Sequence, residues 1–438
     1  MTDHAVPTHK TAEYRCPDEE YLISRAVHLG RLARFYPGCR QCRHRDDTGT
    51  LSQKQLRRLA ETRPRGLTPP LFHEEGAGGV HGNQFTADVA RDLAAALGTV
   101  LRRGLARGNN ARPDGATDDP ADAPANRTPV VVLGSDGRPI GCELVAAVGE
   151  GVRWAGCHLV DAGPASAPCL ALAVDHLKTD GGILLGNTDG RPHTASLKFW
   201  ADGPQPLSAG GSLDVLERVY AAGVDRPTRT YGSLRRFQAD VPYLACLSER
   251  YHALRPLCVV LHTTCNPLVG YLDRLTGPVA CRIVPSRTDA GRLPELVLAE
   301  QAHLGVCIDD DGERCRVLDN LGRPVSDERL LWLVVRHLLT ENPRAVVVLE
   351  AETPPQVARR IETAGGQVVR SGARRSEMFA AMREHGARFG GGPSGRFWYD
   401  FNGTPLPDAL TTLTLLLVLL SQSDRHFSEV LDRDAGTR

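Results

Sequence analysis

Short apolar runs alternate with helical segments along most of this chain of 438 residues. From Val130 to Leu185 the predicted order is strand, helix, strand, helix, strand, with turns rich in glycine and proline. The alternation begins again at Leu257 and a third time at Leu304. Such a pattern predicts an α/β protein with mixed, mainly parallel sheets covered by helices. Ligands of such sheets bind at the carboxyl ends of the strands.

One predicted strand ends abruptly in acidic residues. The apolar run that starts at Leu304 is followed by Asp309-Asp310-Asp311-Gly312-Glu313-Arg314. In an extended segment alternate side chains share a side, so Asp309, Asp311 and Glu313 can converge on one point. Three adjacent carboxylates require protons or a cation, and oxygen ligands favour Mg²⁺.

The acidic run leaves other interpretations open. An ordinary acidic turn is common at a strand end. A phosphatase of the haloacid-dehalogenase type also places D-x-D-G after an apolar strand, with Asp309 as its nucleophile. An EF-hand loop does not fit, because its glycine belongs two positions beyond Gly312.

Further loops fall at the ends of predicted elements. They are Gly76–Gly82, Gly134–Pro139, Gly186–Pro192 and Gly390–Arg396, and the segment Ser196–Phe199 follows the third of them. Glycine lets backbone N–H groups approach a ligand closely, although each of these loops alone is typical of a turn.

In this order, the loops and the acidic run resemble the α-D-phosphohexomutase superfamily, which includes phosphoglucomutase and phosphomannomutase. The resemblance covers residues 71–425. The family counterparts are G-R-D-T-R-P, T-A-S-H-N-P, N-G-x-K, D-G-D-A-D-R and G-E-x-S-G-H. The resemblance implies three consecutive α/β/α domains and a reversible transfer of phosphate between a phosphoserine and a hexose phosphate, assisted by Mg²⁺.

The resemblance assigns roles by position. Thr188 stands at the phosphoserine site, and Lys198 and Arg314 match catalytic basic residues. The metal ligands would be Asp309, Asp311 and Glu313, and substrate contacts would come from His81, Ser394 and Arg396.

The chain departs from the family motifs at several of these positions. Threonine replaces serine at 188, Asp189 replaces a histidine, Gly392 replaces the sugar-loop glutamate, and Glu313 replaces an aspartate. Two functions are therefore expected as alternatives: a hexose-phosphate mutase, or a catalytically degenerate protein that binds a sugar phosphate or a protein partner.

The expected domain boundaries follow from the same pattern. They are an irregular N-terminal extension (1–70), domain I (71–202, with a disordered insert at 108–128), domain II (203–300), domain III (301–425) and a tail (426–438) in place of a fourth domain. In the extension, Cys39-x-x-Cys42-x-His44, with Cys16 upstream, can be a zinc site or a loop with free thiols.

Charge and composition restrict the classes of partner that the chain can bind. Lys plus Arg and Asp plus Glu each number 52, so no net charge favours nucleic acid or a membrane. The apolar run 413–420 is too short to span a bilayer. Scattered cysteines and the lack of a secretory signal predict a cytoplasmic protein. The expected partners are a hexose phosphate and a protein partner or a second copy of the chain.

Overall fold

A computed structural model describes residues 13–15, 21–36, 38–39, 42–61, 70–110, 127–187, 193–224, 231–286 and 290–436. The chain divides into two compact units, Met1–Pro70 and Leu71–Arg438. Thr188 and Asp189, Cys16 and most of the insert expected at 108–128 lie outside the described residues.

The first unit contains a small antiparallel sheet and two helices. Its elements are β1 (Glu13–Arg15), β2 (Leu22–Ser24), α1 (Arg25–Ala33) and α2 (Gln53–Glu61). Cys39 and Cys42 are buried, and the His44 N–H donates to Cys42 Sγ at 3.4 Å. Among the described residues no group of three His, Cys, Asp or Glu side chains is arranged to hold a metal.

The second unit begins with a sheet of order β10-β6-β5-β7-β8-β4-β3, with β9 paired to β8. Its strands are β3 (Phe72–His73), β4 (Gly76–Val80), β5 (Val130–Ser135), β6 (His158–Pro164), β7 (Gly181–Gly186), β8 (Thr194–Ala201), β9 (Gln205–Pro206) and β10 (Leu234–Arg236). Its helices are α3 (Ala87–Asn110), α4 (Pro139–Trp154), α5 (Ala167–His176), α6 (Ser212–Ala222) and α7 (Asp240–Ser248).

The second sheet has the order β12-β11-β13-β14-β15 and the third the order β17-β16-β18-β19-β20. The second comprises β11 (Cys258–Thr263), α8 (Asn266–Thr276), β12 (Arg282–Pro285), α9 (Leu293–Ala299), β13 (Leu304–Ile308), β14 (Cys315–Leu318) and β15 (Pro324–Val325). Then follow α10 (Asp327–Glu341), β16 (Val346–Glu350), α11 (Pro355–Thr363), β17 (Gln367–Ser371), α12 (Arg375–Glu384), β18 (Phe389–Gly391), β19 (Phe397–Phe401), β20 (Thr404–Pro407), α13 (Ala409–Ser421) and α14 (Phe427–Gly436).

The three sheets repeat one arrangement, which confirms the predicted α/β architecture of three similar parts. In each sheet parallel strands lie on one side and antiparallel strands on the other. The expected division at residue 300 cuts through the second sheet, because Leu304 of β13 pairs in register with Val259 of β11. The boundary between the second and third parts lies after β15 instead. The expected end of domain I at residue 202 is also wrong, because Leu234 of β10 pairs with Leu159 of β6 in the first sheet.

Two further expectations need correction. The stretch expected as a loop from Gly76 is the strand β4, and a Cβ at Gly76 would lie 2.1 Å from the Leu197 carbonyl oxygen of β8. Glycine is therefore required by the close approach of two strands. The expected tail contains α14, in which Phe427 and Leu431 are buried.

A continuous apolar core links the three sheets. It includes Val132 of the first, Val306 of the second and Leu349 of the third, together with Leu417 of α13. The helix α13 is nearly all apolar because it is buried, and Asp408 caps its start by accepting from the Leu410 and Thr411 N–H groups. No described helix is both long enough and apolar enough to cross a bilayer.

Candidate functional site at the meeting of three sheets

The acidic run forms a tight turn between β13 and β14. Asp309 Oδ1 accepts the backbone N–H groups of Gly312, Glu313 and Arg314 at 2.9–3.1 Å. Gly312 has a φ of +85°, a left-handed conformation in which glycine avoids strain. Asp309 therefore stabilises the turn itself.

Backbone hydrogen bonds from both neighbouring parts fix this turn. The Ala167 N–H at the start of α5 donates to the Asp311 carbonyl at 2.8 Å, and the Ala409 N–H of α13 donates to Gly312 at 3.0 Å. The Cys315 N–H donates to the Gly395 carbonyl at 3.2 Å. The first, second and third parts thus meet at residues 309–315.

Basic side chains surround Glu313, which is 1% exposed. Its Oε1 accepts from Arg375 Nη2 of α12 at 2.7 Å. Its Oε2 accepts from Arg396 Nε at 3.1 Å and from Lys198 Nζ of β8 at 3.2 Å. Both carboxylate oxygens are therefore occupied by cationic donors from the first and third parts.

Lys198 and Glu75 extend the same network. Lys198 Nζ contacts Asp311 Oδ2 directly and lies 2.9 Å from Glu75 Oε2. Glu75 Oε1 in turn accepts from Arg314 Nη2 at 2.9 Å and from Arg396 Nη2. We call the complete set the cleft ion-pair cluster: Glu75, Lys198, Asp311, Glu313, Arg314, Arg375 and Arg396.

Neighbouring charges in the cluster shift the pKa values of Asp311, Glu75 and Lys198. Burial alone would raise the pKa of Asp311, but the Lys198 ammonium outweighs burial and lowers that pKa to about 2. Burial alone would raise the pKa of Glu75, but the charges of Lys198 and Arg396 outweigh burial and hold that pKa well below its ordinary value. Burial would lower the pKa of Lys198, but Asp311, Glu313 and Glu75 raise it. Asp311, Glu75 and Lys198 therefore stabilise one another in their charged forms.

Asp309 differs from these acids. Burial, followed by the charge of Asp311, raises the pKa of its carboxyl well above the ordinary value. Asp309 Oδ1 is also held by three backbone N–H groups of the turn, which limits its availability as a nucleophile. The arrangement therefore gives no support to a dehalogenase-type phosphatase acting through Asp309.

The acid trio does not fit Mg²⁺ as it is arranged. Mg²⁺ demands near-octahedral oxygen ligands, whereas Asp309 accepts the turn's N–H groups, Asp311 Oδ2 accepts from Lys198, and Glu313 accepts from three cations. Residues 309–314 form a turn and not the expected extended segment, although Asp311 and Glu313 both reach Lys198 Nζ. A divalent ion at these oxygens would also meet the like charges of Lys198 and Arg396.

A carboxylate of β16 contacts the glycine-rich loop Gly390–Arg396. Glu350, the last residue of β16, accepts from the Ser394 N–H at 2.9 Å and from Ser394 Oγ. Burial raises the pKa of Glu350, although the Ser394 hydrogen bonds oppose the rise. A Cβ at Gly392 would lie 2.6 Å from Glu350 Cβ, so glycine is required where Glu350 packs against the loop.

The predicted site residues are only partly assembled. Lys198, Asp311, Glu313, Arg314 and Arg396 lie within the cleft ion-pair cluster. His81 lies beyond the far end of β4 from Glu75, with Nε2 3.7 Å from Glu143 Oε2. Ser394 joins the cluster only through its side-chain oxygen, which accepts from the Arg396 N–H at 3.2 Å. Thr188 lies outside the described residues.

Sequence reasoning missed three charged residues of this site. Glu350 stands at the carboxyl end of a parallel strand, where such sheets place functional groups. Glu75 precedes the antiparallel strand β4, and its only signal was its place beside the first glycine-rich segment. Arg375 had no such signal, because its position at the start of α12 matches no quoted motif.

Comparisons with known proteins agree with this architecture. Residues 121–210 match the family described as "Phosphoglucomutase/phosphomannomutase, alpha/beta/alpha domain I", and residues 326–436 match domain III of the same description. The start of the second match at 326 agrees with the sheet boundary after β15.

Individual relatives are similar over most of the chain. "Phosphomannomutase/phosphoglucomutase" of Pseudomonas aeruginosa is 25% identical over 83% of this chain and 77% of its own length. "Phosphoglucosamine mutase" of Renibacterium salmoninarum is 27% identical over 79% of this chain and 77% of its own length. A solved phosphoglucomutase/phosphomannomutase family protein of Burkholderia thailandensis shares the fold, with a TM-score of 0.68 and 24% identity, over 83% of this chain and 79% of that chain.

Proposed function

Because the chain belongs to the α-D-phosphohexomutase superfamily, we propose that it binds a hexose monophosphate where its three sheets meet, without Mg²⁺-assisted phosphoryl transfer. The substrate class comes from similar proteins, which are named as mutases of phosphomannose, phosphoglucose and phosphoglucosamine. The absence of metal-assisted transfer follows from this chain's own residues.

The observation that carries the proposal is the position of Lys198. Its ammonium lies among the carboxylates of Glu75, Asp311 and Glu313, with its side chain 2% exposed. It thus supplies the positive charge that three carboxylates require. An ammonium neutralises carboxylates but offers no open coordination position to a phosphoryl oxygen, as a metal ion would.

The groups left for ligand binding lie at the margin of the cluster. The Arg314 side chain is 40% exposed, and a guanidinium can donate bidentately to phosphate. Ser394 and Glu350 offer a hydroxyl and a carboxylate, which suit sugar hydroxyls. In this proposal Arg314 binds the phosphate and the Glu350–Ser394 pair orients the sugar.

Calorimetry and a mutase assay test the two halves of the proposal separately. Titration of the full chain with glucose 1-phosphate, mannose 1-phosphate and glucosamine 1-phosphate should give binding of at least one. The same protein, incubated with Mg²⁺ and a trace of hexose 1,6-bisphosphate, should form no 6-phosphate while the Pseudomonas aeruginosa relative does. Isomer formation, or phosphate on Thr188 found by mass spectrometry, would refute the proposed lack of phosphoryl transfer. The absence of binding to all three sugar phosphates would refute the proposed hexose-phosphate site.

A matched pair of variants locates the phosphate contact. Arg314→Gln should weaken binding roughly tenfold, since a hydrogen bond to a charged group contributes about 1.5–3 kcal/mol. Arg316→Gln changes an exposed arginine on the next strand and should leave binding unchanged. Equal effects of both variants would indicate a general charge effect and not a site at Arg314.

A further inference from the structure

Arg375 is a buried cation with hydrogen-bonding capacity that the protein does not use. The residue is 1% exposed, and its guanidinium lies 4.8 Å from the Trp200 ring centroid. Nη2 donates to Glu313, but Nε and Nη1 are buried and have no partner among the described residues. Unpaired buried donors cost about 1–3 kcal/mol each, and more on charged groups, so this pair of donors calls for an acceptor.

A cavity of about 10 Å³ adjoins this guanidinium. Trp398 also lines the cavity, and its Nε1–H is likewise buried without a partner among the described residues. Apolar and ring side chains, among them Trp200, Pro206 and Leu406, form most of the remaining wall. The volume suffices for one water molecule or one monatomic ion and excludes phosphate or a sugar.

The unpartnered groups around the cavity favour an anion over water because all of them are hydrogen-bond donors. Arg375 Nε and Nη1 and Trp398 Nε1 carry N–H groups and offer no acceptor to a water molecule. Glu313 is the acidic group at the cavity wall, and both its oxygens already accept from cations. Buried donors without an acceptor are costly.

We propose that this cavity binds a small monatomic anion, chloride under physiological conditions, through Arg375 and Trp398. The anion accepts the unused N–H groups of both side chains. Trp200 lies on β8 of the first sheet, whereas Arg375 and Trp398 lie on α12 and β19 of the third. Anion binding therefore stabilises the contact between the first and third parts of the chain.

Halide dependence of the full chain tests the site. At constant ionic strength, replacing sodium gluconate with sodium chloride or bromide should raise the thermal unfolding temperature along a saturating curve. Crystals soaked in sodium bromide should show an anomalous peak within hydrogen-bonding distance of Arg375 and Trp398. Equal stabilisation by gluconate, or a peak-free cavity that holds water alone, would overturn the proposal.

Two tryptophan variants give a matched comparison. Trp398→Phe keeps a ring in the cavity lining and removes its unpartnered N–H, so the chloride concentration at half-effect should rise roughly tenfold. Trp332→Phe removes another buried indole N–H without a partner among the described residues, but Trp332 lies on α10 outside the cavity lining. Its halide response should equal that of the unaltered protein, and an unchanged response in Trp398→Phe would contradict the assignment.

Discussion

The guanidinium of Arg375 donates to the carboxylate of Glu313 at 2.7 Å, and each residue is 1% exposed. The contact joins α12 of the third part to the turn between β13 and β14 of the second. Removing one member of such a buried pair leaves the other charged and unpaired, which typically costs 3–5 kcal/mol. The site can thus be probed through stability as well as through binding.

Replacement of Glu313 with glutamine should destabilise the protein strongly. Glu313→Gln keeps the shape of the side chain but removes the charge that Arg375, Arg396 and Lys198 share. We expect a loss of about 3 kcal/mol or more in the free energy of unfolding, measured by urea denaturation. Glu362→Gln, at an exposed position of α11, should change it by less than about 0.5 kcal/mol. Similar values for the two variants would show that the cluster contributes little.

Removal of the Lys198 ammonium should create an affinity for divalent cations. In Lys198→Ala the carboxylates of Glu75, Asp311 and Glu313 lose their shared cation. We expect MgCl₂ to raise the thermal unfolding temperature of this variant along a saturating curve, compared with NaCl at equal ionic strength. The unaltered protein and Lys54→Ala, an exposed control, should not distinguish the two salts. A Mg²⁺-specific rise in the unfolding temperature of the unaltered protein would contradict the conclusion that Asp309, Asp311 and Glu313 do not fit Mg²⁺.

The stability of the protein should fall in acid partly through Asp311. Burial alone would raise the pKa of Asp311, but Lys198 outweighs burial and lowers that pKa from 3.8 to about 2. A depressed carboxyl pKa stabilises the folded state above the unfolded-state value and loses this effect as the pH falls through the folded-state value. The contribution is about 2 kcal/mol, present above pH 3.8 and lost towards pH 2.

The measurement for Asp311 is urea denaturation as a function of pH. Between about pH 5 and pH 2, Asp311→Asn should lose about 2 kcal/mol less than the unaltered protein. Asp424→Asn, at an exposed position after α13, should follow the unaltered curve. Parallel curves for Asp311→Asn and the unaltered protein would show that Lys198 does not lower this pKa.

An alanine at position 392 should disturb the Glu350–Ser394 pair. The added Cβ would lie 2.6 Å from Glu350 Cβ and 2.7 Å from its Oε2, so the loop or β16 must move. We expect Gly392→Ala to cost about 1–3 kcal/mol in urea denaturation. Gly270→Ala in α8 meets no atom within 4 Å and should stabilise by about 0.5–1 kcal/mol. Tolerance of Gly392→Ala would indicate that Glu350 is loosely held.

The alternation of apolar runs and helical segments was sufficient to predict the fold. Ser326 and Asp408 cap α10 and α13, a feature that sequence can indicate because capping depends on local hydrogen bonds. The division at residue 300 failed for the opposite reason. Pairing of Leu304 with Val259 joins residues distant in the chain, and a periodic pattern does not reveal which sheet a strand enters.

The site was less predictable than the fold. Asp311 and Glu313 were recognised as functional candidates, but their partners Lys198 and Arg375 come from other parts of the chain. An acidic run indicates that positive charge is needed nearby, and it does not say whether a metal, a lysine or an arginine supplies it. That choice depends on tertiary packing, here of β8 and α12 against the turn.

The hydrogen bonds from Ala167 and Ala409 and to Gly395 tie the turn at 309–315 to α5, α13 and the glycine-rich loop Gly390–Arg396. Such a turn is ill-suited to be a hinge, since bending it would break bonds on several sides together. Any movement of the three parts relative to one another must therefore involve a hinge elsewhere in the chain. A bound ligand is therefore expected to contact a rigid turn and to be accommodated by movement of the elements around it.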